Sequence, residues 1–150
     1  MYVWGMDNHD PKRIGYLLER TTRIIKLNYS QSFKAAGFDV TPEQWVILES
    51  LYIKNGQSQN DLAEYSFKDA PTISRILDLL CTKGYTVREE VKGDKRARKI
   101  TLTQVGQELV DQMQPLVDEL RQQGWNNLTD EDHQTLVRIV DQVFQNYNQS

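Results

Sequence analysis

Residues 70–103 read APTISRILDLLCTKGYTVREEVKGDKRARKITLT, and the hydrophobic period changes once along that stretch. From Ala70 to Lys83 the apolar residues Ile73, Ile76, Leu77 and Leu80 recur at three- and four-residue spacing, so they share one sector of a helix. The opposite sector carries Pro71, Ser74, Arg75, Asp78 and Thr82, with Thr72 at its edge. Asp69 is placed to cap this helix, Pro71 is tolerated in its first turn, and Gly84 closes it. Beyond Gly84 the period becomes two. Tyr85, Val87, Glu89 and Val91 alternate with Thr86, Arg88 and Glu90, and after Lys92-Gly93-Asp94-Lys95 the segment 98–102 alternates again. The pattern predicts a two-stranded hairpin with a charged tip.

A helix with one apolar face, followed at once by a basic hairpin, suits duplex DNA. The major groove is about 12 Å wide and admits such a helix, polar face inward. Arg75 can donate a bidentate pair to guanine, and Thr72 and Ser74 can bond to bases or phosphates. Asp78 can accept from cytosine or orient Arg75, one turn away. In the hairpin, Lys92, Lys95, Arg96, Arg98 and Lys99 crowd around a glycine turn. Cations there meet phosphates, and an arginine can enter a narrow minor groove. Asp94 is the odd acid among them and is expected to orient a nearby arginine.

Upstream lie three more helical segments. The first, from about Pro11 to Ala36, carries Ile14, Leu17, Leu18, Thr21, Ile24, Ile25, Asn28, Tyr29, Ser32 and Phe33 on a largely apolar stripe, with Asp10 as cap and Gly37 as stop. The second starts at Thr41-Pro42-Glu43-Gln44, a capping box, with Trp45, Leu48, Leu51 and Tyr52 as its buried face, and Asn55-Gly56 ends it. The third is short, from Ser58 (N-cap, Asp61 at N3) to about Tyr65, with Leu62 and Ala63 inward. Its N-terminal amides at Ser58-Gln59-Asn60 can receive a phosphate. Lys68, in the turn that follows, joins the candidate DNA contacts.

Downstream, Thr103 caps a long helix with Val105, Leu109, Val110, Met113, Leu116, Val117 and Leu120 on one face; Pro115 is expected to kink it and Gly124 to end it. A last helix begins at Thr129 and carries Leu136, Val137, Val140, Val143, Phe144 and Tyr147. The order is four helices, a hairpin and two helices: a mainly α fold with a small β-hairpin wing, a winged helix-turn-helix. Both terminal helical regions show long apolar stripes that so small a chain has little to cover. An identical chain is the simplest cover. Residues 1–36 and 104–150 are therefore read as dimerisation segments flanking a DNA-binding lobe at 37–103.

Charge distribution agrees. The whole chain carries a formal −3, with 39% hydrophobic and 26% charged residues over 150 positions. Residues 83–99 hold seven cations (Lys83, Arg88, Lys92, Lys95, Arg96, Arg98, Lys99) against Glu89, Glu90 and Asp94, while 104–150 hold only Arg121 and Arg138 against eight acids. A polyanion would bind the first block and be repelled by the second. No stretch approaches the roughly 20 apolar residues that span a bilayer, and the N-terminus is not a secretory signal, so a cytoplasmic protein is expected. The single cysteine, Cys81, forms no internal disulfide. His9 and His133 lack metal-ligand spacing, and no phosphate loop or nucleophile grouping stands out. No enzyme, cofactor or metal is expected. The rival reading is a protein-interaction or adaptor module on a winged-helix scaffold. RNA binding is disfavoured, because no exposed aromatic platform is evident.

The chain resembles the MarR family of bacterial transcription regulators over nearly its whole length. The segment from Ser74 through Gly84 to Arg88 is similar to the family's recognition helix with its Leu-x-x-x-Gly and Val-x-Arg approach to the wing. Asp94-Lys95-Arg96 and Leu102-Thr103, with Gly106 following, resemble its Asp-x-Arg wing and Leu-Thr-x-x-Gly junction; Thr41-Pro42-Glu43-Gln44-Trp45 resembles the start of its second helix. The resemblance implies a homodimer on a pseudo-palindromic operator, usually a repressor released by a small ligand or by oxidation. It gives Arg96 the minor-groove role, Asp94 a bracing role and Arg75 a polar recognition position, while Leu79 departs from the polar residue often found there. Redox-sensing members use a cysteine in the first helix, which this chain lacks, and Cys81 is read as packing. A small aromatic or phenolic effector would sit in a crevice that Tyr29 and Trp45 could line.

Overall fold

In a computed structural model, which describes residues 13–149, the chain forms six helices and a small antiparallel sheet. The order is α1 (Ile14–Ala35), α2 (Pro42–Ile53), β1 (Gln57–Ser58), α3 (Gln59–Ser66), α4 (Ala70–Thr82), β2 (Thr86–Val91), β3 (Asp94–Leu102), α5 (Gln104–Gly124) and α6 (Asp130–Tyr147). This is the winged helix-turn-helix that the period change predicts. The expected cap of α1, Asp10 with Pro11, lies outside the described residues, as does His9.

Helix boundaries follow local chemistry. Thr41, Ser58 and Thr129 each form a full capping box, with Gln44, Asp61 and Asp132 at N3. In each box a side-chain oxygen takes one orphan amide and the N3 side chain takes another. Asp69 caps α4 by accepting from the Thr72 amide at 2.7 Å. Gly37 and Gly84 follow α1 and α4 at φ +82° and +79°, the left-handed conformation that costs glycine least.

The sheet has three strands, not the two expected. β1 pairs with β3, which pairs with β2. β1 is only two residues long, too short for a period to show. Gln57 nevertheless fixes it: its Nε2 donates to the Ser50 and Lys54 carbonyls at 3.0 and 2.8 Å, satisfying acceptors at the end of α2. β3 also begins earlier than the alternation suggests, at Asp94 rather than Arg98, because the β2–β3 ladder changes register between Glu90 and Val91.

The core below the sheet is built from Leu48, Leu51, Leu62, Ile73, Leu77, Leu80 and Ile100, all at most 1% exposed. Burying each side chain stabilises the fold by about 1.5–3 kcal/mol. Trp45, Leu48 and Leu51 are buried as expected, together with Ile47. Tyr52 is not: it is 42% exposed and its hydroxyl donates to Asp111 on α5 at 2.6 Å. That bond and the carboxylate charge hold the Tyr52 pKa above its ordinary value. A phenol with an acceptor to reach gains by staying at the edge.

Tyr85, between α4 and β2, meets the start of α5 closely. Its carbonyl accepts from the Thr103 amide, while the Thr103 hydroxyl donates to the Gly84 carbonyl and accepts from the Gly106 amide. A Cβ at Gly106 would fall 2.0 Å from the Tyr85 carbonyl oxygen. The Leu-Thr-x-x-Gly junction is thus a place where helix and chain approach closely enough to exclude a side chain.

The chain divides into two compact units, Met1–Pro115 and Leu116–Ser150. α5 is one continuous helix with Pro115 inside it. In the second unit α6 buries no residue: Leu136, Val137, Ile139, Val140, Val143 and Phe144 are all 38–53% exposed. In the first, Ile14, Leu18, Ile24 and Ile25 on α1 are likewise exposed. Of the apolar stripes read from the sequence, these parts of α1 and α6 are uncovered among the described residues, whereas Phe33 on α1 and Val110, Met113 and Val117 on α5 are buried.

Candidate nucleic-acid interface

The apolar sector of α4 packs Ile73, Leu77 and Leu80 into the core, which turns Arg75, Asp78, Leu79 and Thr82 outward, with Thr72 and Ser74 half-buried beside them. Helix α3 is held by the same core through Leu62. The turn between α3 and α4 passes through Phe67 at φ 51°, an uncommon conformation for a residue with a side chain. Lys68 and Asp69 follow it. The Asp69 carboxyl is held below its ordinary pKa, chiefly by hydrogen bonding from Thr72, with the Arg75 and Lys68 charges adding to the effect. Lys68, Thr72 and Arg75 therefore gather at the N-terminus of α4, the end from which a recognition helix reads bases.

Ser58 is a cap before it is anything else. Its hydroxyl accepts from the Asp61 amide at 3.0 Å and its own amide donates to Asp61 Oδ2 at 3.1 Å. The phosphate-receptive amides at the N-terminus of α3 thus narrow to Gln59 and Asn60. Because β1 pairs with β3, Ser58 lies opposite Lys99, which sets this helix end at the base of the wing.

The acids of the interface all have partners. Asp78 Oδ1 accepts from Arg88 Nη2 at 2.8 Å, so it engages the first wing strand, whereas the sequence offered cytosine or Arg75 as its partner. Asp78 and Arg75 are both outward residues on α4, but Arg88 reaches Asp78 from β2, a contact that helix spacing cannot reveal. Glu90 pairs with Arg98 at 3.3 Å and Glu89 with Lys99 at 3.7 Å, across directly opposed positions of the β2–β3 ladder. Asp94 Oδ1 accepts the Arg96 backbone amide at 3.0 Å, so among the described contacts it shapes the turn that carries Arg96 and meets no guanidinium. Arg98 also donates to the carbonyls of Lys95 and Ala97, closing the irregular part of the hairpin.

This pairing sorts the cations. Arg88, Arg98 and Lys99 are engaged with acids. Arg75, Lys92, Lys95 and Arg96 are exposed, and Lys68 half-buried, with no ion pair among the described residues. Gly93, at φ +89°, supplies the tight turn that puts three of these at the wing tip. Arg88 is the residue that sequence reasoning left out of the site. Its signal was the Val-x-Arg pattern; what it touches was not visible.

Cys81 is half-buried, with Sγ 3.3 Å from Thr86 Oγ1 and 3.8 Å from Arg88 Nη1, as a packed residue would be. Tyr29 and Trp45 belong to an aromatic cluster centred on Phe33, with ring centroids 5.9 and 6.2 Å from it. Trp45 is 2% exposed and its Nε1 has no hydrogen-bond partner among the described residues. A groove of about 760 Å³ opens instead along another face of α1, lined by Tyr16, Arg20, Arg23, Ile24, Leu27 and Glu43 among others, and by neither Tyr29 nor Trp45.

Comparison with known proteins agrees with this geometry. A family model described as MarR family matches residues 38–97, from the approach to α2 through the wing tip. Among solved structures, the chain is similar to Staphylococcus aureus MepR in complex with DNA, at 27% identity over 89% of this chain and 97% of that one, with a TM-score of 0.80. It is also similar in fold to a MarR family transcriptional regulator from Silicibacter pomeroyi (21% identity, 97% and 99% covered, TM-score 0.79). A third is Bordetella bronchiseptica BpsR, whose DNA binding is regulated by 6-hydroxynicotinic acid (21% identity, 87% and 98% covered, TM-score 0.77).

Proposed function

We propose that this chain is a member of the MarR family and a sequence-specific, duplex-DNA-binding transcription regulator that acts as a homodimer on a pseudo-palindromic operator. The observation that carries the proposal is a set of cations that make no ion pair among the described residues: Lys68 just before α4 and Arg75 on its outward side, and Lys92, Lys95 and Arg96 at the wing tip. In this reading α4 enters the major groove, with Arg75 reading guanine and Thr72 and Ser74 assisting, while Arg96 reaches the minor groove. The amides of Gln59 and Asn60, with Ser58 holding the helix end, receive a phosphate.

The uncovered stripes of α1 and α6 support the homodimer. A two-fold dimer presents two recognition helices, and half-sites about one helical turn apart follow from that symmetry. The segments 1–36 and 104–150 supply the interface and 37–103 the DNA-binding lobe. No helix among the described residues is long and apolar enough to cross a membrane, and we place the protein in the cytoplasm with DNA. Regulation, not catalysis, is its role. Repression relieved by a small aromatic or phenolic effector completes the reading. Because Trp45 is sealed in the Phe33 cluster, the α1 groove is the better place to look for that effector.

The test is selection from a random-sequence duplex pool, followed by titration of the recovered sequence at several salt concentrations. A two-fold-related consensus and a steep fall of log K with log salt support the proposal. No enrichment and a flat salt dependence overturn it and favour the adaptor reading.

A further inference from the structure

Asp78 poses an electrostatic problem for a helix that approaches a polyanion. It stands on the outward side of α4, three residues from Arg75, and its side chain is 65% exposed. A carboxylate there would repel the phosphates that Arg75 and the wing attract. The ion pair with Arg88 answers the problem. Arg88 lies on β2 opposite Ile100, its side chain is 30% exposed, and its Nη2 sits 2.8 Å from Asp78 Oδ1. Nη1 of the same guanidinium points to Cys81 Sγ. A single, partly exposed ion pair adds little to folding stability.

We infer that Arg88 is a positioning and charge-masking residue for the recognition helix: it neutralises Asp78 from the side and ties the first wing strand to α4, so that helix and wing meet DNA as one surface. This rests on the DNA-binding reading above. It assigns Arg88 no phosphate of its own and assigns Asp78 no base.

Charge-neutral variants separate masking from direct contact. The probe is a duplex recovered by the wild-type protein from a random pool, titrated by fluorescence anisotropy at several salt concentrations, with thermal melts confirming that each variant is folded. Arg88→Gln leaves Asp78 bare in each subunit and weakens binding by about tenfold, the order expected for an added negative charge on a surface that faces phosphates. Asp78→Asn releases Arg88 and tightens binding by about threefold. The double variant restores the net charge of the pair and returns affinity to within about threefold of wild type. A double variant as weak as Arg88→Gln, with a salt slope lower by about one per subunit, shows that Arg88 contacts a phosphate and overturns the inference. Unchanged affinity in Arg88→Gln overturns it as well. Failure of the wild type to bind any duplex is a different result, and removes the regulator reading together with this one.

Discussion

Replacing Gly106 by Ala tests the junction between the wing and α5, and ordinary helix propensity predicts the wrong sign for it. Gly106 sits in the first turn of α5 with a negative φ, where exchange of Gly for Ala normally stabilises by about 1 kcal/mol. Here the new Cβ would lie 2.0 Å from the Tyr85 carbonyl oxygen, 2.9 Å from its carbon and 3.1 Å from its Cα. All three are backbone atoms, so no side chain can swing aside. The oxygen must retreat by about 1.5 Å to reach normal contact. It also accepts the Thr103 amide at 3.0 Å, a bond worth about 1 kcal/mol that the retreat would strain or break. Overpacking of this kind costs about 1–3 kcal/mol. Setting the helix gain against these losses leaves Gly106→Ala destabilised by about 2 kcal/mol. At about 3 °C per kcal/mol for a chain of this size, Tm falls by about 6 °C. The assay is urea unfolding followed by circular dichroism at fixed protein concentration, since dimerisation makes stability concentration-dependent. A lower midpoint with an unchanged slope is the expected result. Equal or greater stability would show that Tyr85 and α5 do not approach as described.

Three further outcomes are expected. Arg96→Ala weakens binding to all duplexes, most on A·T-rich flanks, and lowers the salt slope by about one per subunit; an unchanged slope removes Arg96 from the phosphate-proximal set. Val140→Asp places a charge in the α6 stripe and shifts sedimentation toward monomer, whereas an intact dimer at micromolar concentration would place the interface elsewhere. The Asp69 pKa is lowered in the folded chain, so its contribution to stability is present above the ordinary Asp value and is lost as pH falls through the lowered one. Asp69→Asn, which keeps a capping oxygen but does not titrate, should flatten the stability–pH curve in that acid window and leave neutral pH little changed; a curve superimposable on wild type would show that the cap's charge is immaterial.

The capping residues Thr41, Ser58, Asp69 and Thr129, the stops at Gly37 and Gly84, the apolar sector of α4 and the hairpin are legible in the sequence, because each depends on residues within a turn or two of one another. The uncovered stripes of α1 and α6 are legible for the same reason: an amphipathic period shows in sequence whether or not anything covers it. Folding alone decided the rest. Two residues carry no period, so β1 became a strand only by meeting β3. Asp78 meets Arg88, ten residues away, because the turn after α4 brings β2 back alongside it. Cross-strand register spent Arg98 and Lys99 on Glu90 and Glu89 and left the tip cations unpaired. Short-range chemistry is written in the order of residues; which charges neutralise one another depends on segments that meet only after the chain has turned.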